Sequence, residues 1–504
     1  MKFLLFITCL FPISVIGLLQ NQNSVWCFGD SAGINFSTGN PTTFASGMDG
    51  RGSCVSISDT TGDILFYANT RAGNWWYSTR VFNSLHQLMQ NGDSINGEAW
   101  YNELVIMPIE NNYYYLFSIC DVFTNAKGLY YSIIDMNQNG GLGQVLQKNI
   151  QLNSLGNADC LSAIRHANGR DWWLISKRST NSSTNNNRFN LYLITPSGIS
   201  SHPVQNLLNA TDGDMQKLIF NSNGDKLMQL NVLGFLAEYD FDRCTGVISN
   251  QNIIFPEQTA NFNRFFWEGA YSPDNSKFFV TITLLDPQVS DTSWLLQFDL
   301  NASNIPSSCD TMFFIKHPVQ IGAVRLAPDH KIYVSSIYDS GVANGYPYPD
   351  SARNMFNENL GVINYPDSMG TGCDFQPFSF YLGGKRTYWG LPNNPDYGLG
   401  ALAGSACDTL GVGISEADIE SKAILHTFYH SEWQKIFVNA QHLKGRNALL
   451  QIFDMNGKLL FSSSKPFQPP YFTQEVDFTV FAKGMYIVNL ETEKENLVKK
   501  FIKD

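Results

Sequence analysis

Three glutamates in this chain stand beside aromatic rings. Glu98 and Glu103 flank Trp100-Tyr101, and Glu268 follows Trp267. Glycoside hydrolysis uses such equipment, one carboxyl as acid and a second as base or nucleophile, with rings to stack the sugar. The same residue types also occur at strand ends with no substrate in view. Asp135-Met136-Asn137-Gln138-Asn139-Gly140 begins like a calcium loop, but its twelfth position is Leu146, where a bidentate Glu is required. An Asn/Gly turn is the simpler reading. His166 precedes a turn and is expected to bond to backbone. No Gly-x-Ser-x-Gly elbow occurs and no Ser/His/Asp set declares itself by spacing. No CxxC or Cys/His cluster has zinc-ligand spacing. No catalytic residue, metal or cofactor is therefore assigned.

The elements that must carry these residues are short hairpins. Glu268 opens Glu268-Gly269-Ala270-Tyr271-Ser272-Pro273-Asp274-Asn275-Ser276-Lys277-Phe278-Phe279-Val280-Thr281, a strand, a tight turn and a second strand. Pro273 presets φ, Asp274 and Asn275 tolerate left-handed backbone, and Phe278 and Val280 resume a period of two. Turns of this kind centre on residues 62, 112, 169, 224, 275, 330 and, more weakly, 384, a spacing of 50 to 57. Second strand pairs such as Phe235 to Asp242 and Trp294 to Asp299 fill the intervals. Four short strands per fifty residues is the spacing of a β-propeller blade, and one blade cannot bury both faces alone. Two stacked β-sandwiches would not predict so steady a period. The expectation is all-β, a seven-bladed β-propeller followed by a small immunoglobulin-like antiparallel β-sandwich. The unit after Ile363 reads one strand short, so Val25-Trp26-Cys27-Phe28 is expected to complete the last blade.

Two insertions interrupt the pattern. Residues 177–188, rich in Asn, Ser and Thr, read as a solvated loop. Residues 340–359 carry Gly345-Tyr346-Pro347-Tyr348-Pro349. Tyr346 and Tyr348 are candidate binding residues there, able to stack a sugar or dock a peptide, and equally able to pack as a lid on their own domain. Gly411 to Ala423 is small and acidic, a linker. Beyond it, Leu449 to Asp454, the turn Met455-Asn456-Gly457-Lys458 and Leu459 to Phe461 make a hairpin with the Asn-Gly signal. Gly484 to Leu490 and Leu497 to Ile502 supply further strands. The boundaries read 1–17 signal peptide, 18–410 propeller, 411–424 linker and 425–504 C-terminal domain.

Composition bounds the partners and the compartment. The 504 residues are 43% hydrophobic and 15% charged, with Phe 36, Tyr 22 and Trp 10, enough to fill a large core. A net charge of −11 excludes a nucleic-acid footprint, which needs a basic face. Lys2 and the apolar run Phe3 to Ile16 read as a secretory signal peptide, too short for a membrane span, and no later run reaches transmembrane length. Without Cys9, eight cysteines remain, Cys27, Cys54, Cys120, Cys160, Cys244, Cys309, Cys373 and Cys407, permitting up to four disulfides or several buried thiols.

The C-terminal segment resembles the type A sorting domain of the type IX secretion system of Bacteroidetes. The resemblance rests on Ile452-Phe453-Asp454-Met455-Asn456-Gly457-Lys458-Leu459-Leu460, Ala482-Lys483-Gly484-Met485-Tyr486-Ile487-Val488 and Lys499-Lys500-Phe501-Ile502-Lys503. The family's usual Tyr-Pro-Asn-Pro-like opening is replaced by Phe428-Tyr429-His430-Ser431-Glu432. The resemblance implies a sorting signal in which Asn456, Gly457, Lys458, Lys483, Gly484, Tyr486, Lys499, Lys500 and Lys503 take part. It also implies type IX secretion machinery at the outer membrane as partner, cleavage on export, and a secreted or cell-surface destination after the periplasm. The longer region resembles the WD40-like N-terminal domain of many exported Bacteroidetes proteins, on Trp26-Cys27-Phe28-Gly29, His166-Ala167-Asn168-Gly169-Arg170-Asp171-Trp172-Trp173, Gly390-Leu391-Pro392-Asn393 and Cys407-Asp408. That likeness implies fold and address, and no reaction.

Two functions of different class follow. One is a binding or scaffold module presenting loops to a glycan, peptide or surface protein. The other is a secreted polysaccharide hydrolase on the same scaffold. Sialidase-type propellers carry Ser-x-Asp-x-Gly-x-x-Trp boxes and an arginine triad. The turns here read Ser-Pro-Asp-Asn or Ala-Asn-Gly-Arg with no Trp at that offset, which favours the binding module.

Overall fold

The computed structural model describes residues 21–503 except 72–77, 99–100, 121–126, 179–186, 208–214, 259–263, 284–291, 339–351, 409–422, 431–433, 442, 468 and 470. The signal peptide, Tyr346, Tyr348, most of the Asn-rich loop and nearly all of the acidic linker lie outside the described residues. The chain divides into two compact units, Met1–Leu193 with Ser201–Thr409, and Ile194–Ser200 with Leu410–Asp504.

Among the described residues the first unit is all-β, with seven antiparallel sheets that follow one another along the chain: 25–49, 54–83, 104–153, 162–207, 216–255, 266–316 and 319–381. The turn chemistry explains six of their hairpins. Gly62, Asn112, Gly169, Gly224, Asn275 and His330 each adopt positive φ, between 61° and 98°, where the chain reverses between a sheet's first and second strands. At Asn275 the reversal is fixed by Asp274, whose carboxylate accepts from the Ser276 N–H at 2.9 Å and the Ser272 hydroxyl at 2.7 Å.

Burial declines from the first strand of a sheet outward. In the sixth sheet, Phe266–Tyr271 and Lys277–Ile282 are buried at every position, whereas Asp310–Lys316 is largely exposed. First strands pack on one another: Val25–Phe28 on Cys54–Ser58, Cys54–Ser58 on Leu104–Pro108, Gln216–Phe220 on Phe266–Tyr271, and Phe266–Tyr271 on Val319–Leu326. A strand packed on both faces must be apolar on both, hence the unbroken apolar runs. The first and seventh sheets share a core, with Trp26 and Phe36 against Tyr333 at 6.0 and 5.5 Å between ring centroids.

One expectation is corrected here. Val25–Phe28 does not complete the last sheet; it pairs with Asp30–Asn35 in a sheet of its own. The seventh sheet already has four strands, the fourth being Phe375–Tyr381, whose Pro377 sits on an outer edge where a missing N–H costs nothing. The weak turn at 384 also plays another part. Gly383 and Gly384, at φ 65° and 77°, turn the chain back so that Arg386 bridges to Asp30 in the first sheet. The connection thus runs from the C-terminal side of the unit to its N-terminal sheet.

Of the cysteines, Cys244 and Cys407 form a disulfide across a separation of 163 residues, Cys27, Cys54, Cys160, Cys309 and Cys373 are free thiols, and Cys120 is buried at the end of Tyr113–Cys120. Cys27, Cys54 and Cys120 sit in apolar strands as small hydrophobic side chains, whereas Cys160 lies just ahead of Ser162–Arg165 and Cys373 ends the short helix Gly370–Cys373.

The second unit has two antiparallel sheets. Ile424–His430, Lys435–Gln441 and Phe472–Asp477 form one; Leu459–Pro466, Asn447–Asp454, Gly484–Thr492 and Asn496–Lys503 form the other, in that order. They share a core of alternate residues, including Ile436, Val438, Leu450, Ile452, Val488, Leu490 and Phe501. Gly457, at φ 81°, makes the predicted Asn-Gly turn, held by Asp454 accepting from the N–H groups of Asn456 and Lys458.

Candidate functional site

The first strands of the sheets converge on a buried polar cluster. Lys217, the second residue of Gln216–Phe220, is 1% exposed. Its ammonium donates to Asn102 Oδ1 and to Asn393 Oδ1 at 3.0 Å, and lies 3.5 Å from Glu268 Oε1. Arg325, from Val319–Leu326, places Nη2 3.7 Å from Glu268 Oε2. Asp159 accepts from the N–H groups of Tyr101 and Asn102 at 2.9 and 2.7 Å. Burial drives the titrations. It raises Asp159 to about 7, against the pull of those two N–H bonds. It lowers Lys217 to about 7, helped by Arg325 and opposed by Glu268. It also pushes the nearby Cys54 thiol up to about 12.

A single extended segment, Arg386 to Leu402, threads this cluster. The Asn393 N–H donates to Cys54 O at 2.8 Å, and its side-chain amide donates to Leu104 O and Leu161 O at 3.0 and 2.9 Å. With the bond from Lys217, this one residue ties the strands Cys54–Ser58, Leu104–Pro108 and Gln216–Phe220 to Leu161, which leads into Ser162–Arg165. Above it, Trp389 donates its N–H to Arg51 O and accepts from Ala323 N–H. Below it, Tyr397 OH reaches Ile106 O at 3.1 Å, Arg165 donates to Tyr397 O at 3.1 Å, and Leu402 N–H donates to Ala167 O. Arg243 donates to Gly400 O, and the disulfide to Cys244 holds Cys407 beyond. At Gly390 the segment passes so close to Gly52 that an added Cβ would lie 2.0 Å from its carbonyl oxygen. Pro392 and Pro395 lack N–H groups, so the segment takes its bonds from the Asn side chains between them.

The glutamates read from sequence are all buried. Glu268 belongs to the cluster, bound to two cations. Glu98 and Glu103 are 2% and 1% exposed. Tyr101, Trp267 and Trp389 pack edge on, with centroids 4.4, 5.0 and 6.2 Å apart, as a covered aromatic core. Asp135 is engaged by its own turn, accepting from the backbone and side chain of Asn137 and from Gln138. His166 bonds to backbone on both nitrogens, accepting from Asn168 N–H at Nδ1 and meeting Cys244 O at Nε2. Among the described residues no three His, Cys, Asp or Glu side chains are grouped to hold a metal ion. Lys217, Asp159, Arg325 and Asn393 were not singled out from sequence. The available signal was a cation inside an apolar first strand, as in Gln216-Lys217-Leu218-Ile219-Phe220 and Ala323-Val324-Arg325-Leu326.

In the second unit the sorting residues divide by exposure. Asn456, Gly457, Lys458, Lys483, Gly484, Lys499 and Lys500 are exposed. Tyr486 is buried against Phe478 and Phe501, with its hydroxyl on Ala482 O. Lys503 is also buried, donating to the carbonyls of Phe478 and Phe481 at 2.7 Å each. That ammonium closes the end of the sheet.

Comparison with known proteins gives one family match, the secretion system C-terminal sorting domain, over residues 434–504. No curated protein matches the chain. Solved structures give distant likenesses. A Mycobacterium tuberculosis puromycin-hydrolyzing peptidase is 8% identical, with 79% of this chain, 53% of that chain and a TM-score of 0.39. The Dos1 propeller is 11% identical, with 75% of this chain, 73% of that chain and a TM-score of 0.35. A Bacteroides ovatus xyloglucan GH43B is 9% identical, with 81%, 90% and 0.31. The chain spans about half the peptidase's length, and scores this low carry no argument about what the first unit does. The C-terminal match does identify an address: this chain carries a type IX secretion sorting domain and is exported, to the medium or the outer cell surface.

Proposed function

We propose that the chain is a type IX cargo whose first unit, 18–410, is a seven-bladed β-propeller acting as a non-catalytic binding or scaffold module. Its ligand is a glycan, a peptide or a neighbouring surface protein. Residues 411–424 are the linker, and 425–504 are an immunoglobulin-like β-sandwich that is removed once export is complete. The observation that carries the binding reading is the commitment of Glu268. Its carboxylate, 2% exposed, lies 3.5 Å from the Lys217 ammonium and 3.7 Å from Arg325 Nη2, so it is covered and engaged by cations rather than facing a substrate as glycoside hydrolysis requires.

A hydrolase reading draws on one observation, the two groups, Asp159 and Lys217, brought near neutrality in one cluster. Both are held by hydrogen bonds that a structural core would also need. The test pairs a glycan array with a panel of chromogenic glycosides. Binding without turnover is the expected result. Chromophore release that disappears in a folded Glu268→Gln variant would overturn the reading in favour of a hydrolase.

A further inference from the structure

The outward face of the four-stranded sheet in the second unit is apolar along one continuous row. Strand alternation and register place the row. Met485 faces Ile502, Ile487 faces Phe453 on its other side, and Phe453 faces Leu459, so the five residues cross all four strands. Their immediate chain neighbours Tyr486, Ile452 and Phe501 point the other way, into the core. Met485 is 41% exposed, Leu459 46% and Ile502 61%. Further along the same face the pairs become polar, Gln451 with Asn489 and Ser462. The five residues at one end of this solvated face, with Val498, 62% exposed, further along opposite Asn489, leave an apolar patch that water does not favour and the fold does not need. Exposed Lys458, Lys483 and Lys500 border it.

We propose that this row is the surface by which the sorting domain docks on the outer-membrane export machinery, against an apolar partner surface rimmed with carboxylates. The inference rests on the export reading and adds to it which face is recognised. Two observations name the occupant: the row lies within the matched sorting domain, residues 434–504, and the exposed charged residues beside it, Lys458, Lys483 and Lys500, are cationic. The lysines steer and orient the encounter, while the apolar row supplies the contact. Buried Lys503 and Tyr486 take no part in the contact and hold the strands that present it.

The test expresses full-length chains in a type IX host and compares cell-surface, medium and periplasmic fractions. Met485→Ser combined with Leu459→Ser and Ile502→Ser is expected to cut export at least tenfold, with folded protein retained in the periplasm at an unchanged melting temperature. Met485→Leu with Ile502→Val is expected to export normally. Lys458→Glu with Lys500→Glu, which leaves the apolar row intact, is expected to slow export and covers the case in which the serine variant fails to fold. Deletion of 482–504 tests the export reading itself. If that deletion blocks export while both folded face variants pass at the normal rate, the docking surface is wrong and the export reading stands. If the deletion passes as well, the export reading fails. Light scattering separates the remaining occupant: a dimer that the serine variant abolishes, with export unaffected, assigns the face to a second copy and overturns the proposal.

Discussion

Asp30 and Arg386, 356 residues apart in the chain, exchange backbone hydrogen bonds at 3.0 and 3.4 Å, and their side chains meet at 2.9 Å between Oδ2 and Nε. Arg386 is 2% exposed. This contact brings the end of the first unit back to its beginning, and Gly29, at φ 58°, lets the two backbones touch there. Truncating Arg386 takes this partner from Asp30, whose side chain is 17% exposed and keeps Arg353 at 4.0 Å, at a cost of about 1 to 3 kcal/mol. Arg386→Ala should therefore lower the urea midpoint sharply and release the first sheet, exposing Trp26 to quenchers before the rest unfolds. A variant with the midpoint of the parent would mean that the closure lies elsewhere.

Asn393 uses its backbone N–H and its side-chain donors and acceptor on Cys54, Leu104, Leu161 and Lys217. Asn393→Leu keeps the volume and takes a donor from the carbonyls of Leu104 and Leu161 and one of several acceptors from Lys217, each lost bond worth roughly 1 to 3 kcal/mol. The expected loss is at least about 3 kcal/mol by equilibrium unfolding. Asn394→Leu, whose side chain reaches only Ser56 and Asn23, should lose clearly less.

Asp159 and Lys217 make opposite contributions to stability across pH. Burial raises Asp159 from 3.8 to about 7, so its contribution is full below pH 4 and is lost as pH rises through 7. Burial lowers Lys217 from 10.5 to about 7, so its contribution is full above 10.5 and is lost as pH falls through 7. Together they place a shallow minimum near neutrality. Lys217→Met should flatten the rise between pH 7 and 9 relative to the parent, measured as urea midpoints. Parallel curves for parent and variant would contradict the assignment.

Thiol chemistry offers a check on the cysteine assignment. Cys309 is the exposed free thiol, while burial pushes Cys54 and Cys160 up to about 12 and so keeps their nucleophilic form scarce. Alkylation of the native protein should label Cys309 rapidly and the others only on unfolding. Cys407→Ser should cost roughly 3 to 5 kcal/mol, the chain-entropy expectation for so long a loop.

Much of the first unit was legible because turn chemistry is local. Residues 62, 112, 169, 224, 275 and 330 announce their reversals by residue type, and all six adopt positive φ. What sequence concealed was non-local. Asp30 and Arg386 carry no mark of each other, and Phe375–Tyr381 hides its strand behind Pro377. Leu391-Pro392-Asn393-Asn394-Pro395 reads as a break in the pattern, because its bonds go to many strands and to no single partner. The glutamates were legible as residues, whereas their burial against Lys217 and Arg325 depends on how separate sheets converge. In the second unit the Asn-Gly turn was local and plain. The burial of Lys503 was not, since a terminal lysine ordinarily points to water.

On the proposed function, the C-terminal unit is an address and the first unit the delivered protein. The intact mass of the chain recovered from the surface or medium of a type IX host tests it most directly. The expected species has lost the second unit and ends between residues 411 and 424. A surface species still ending at Asp504 would contradict it.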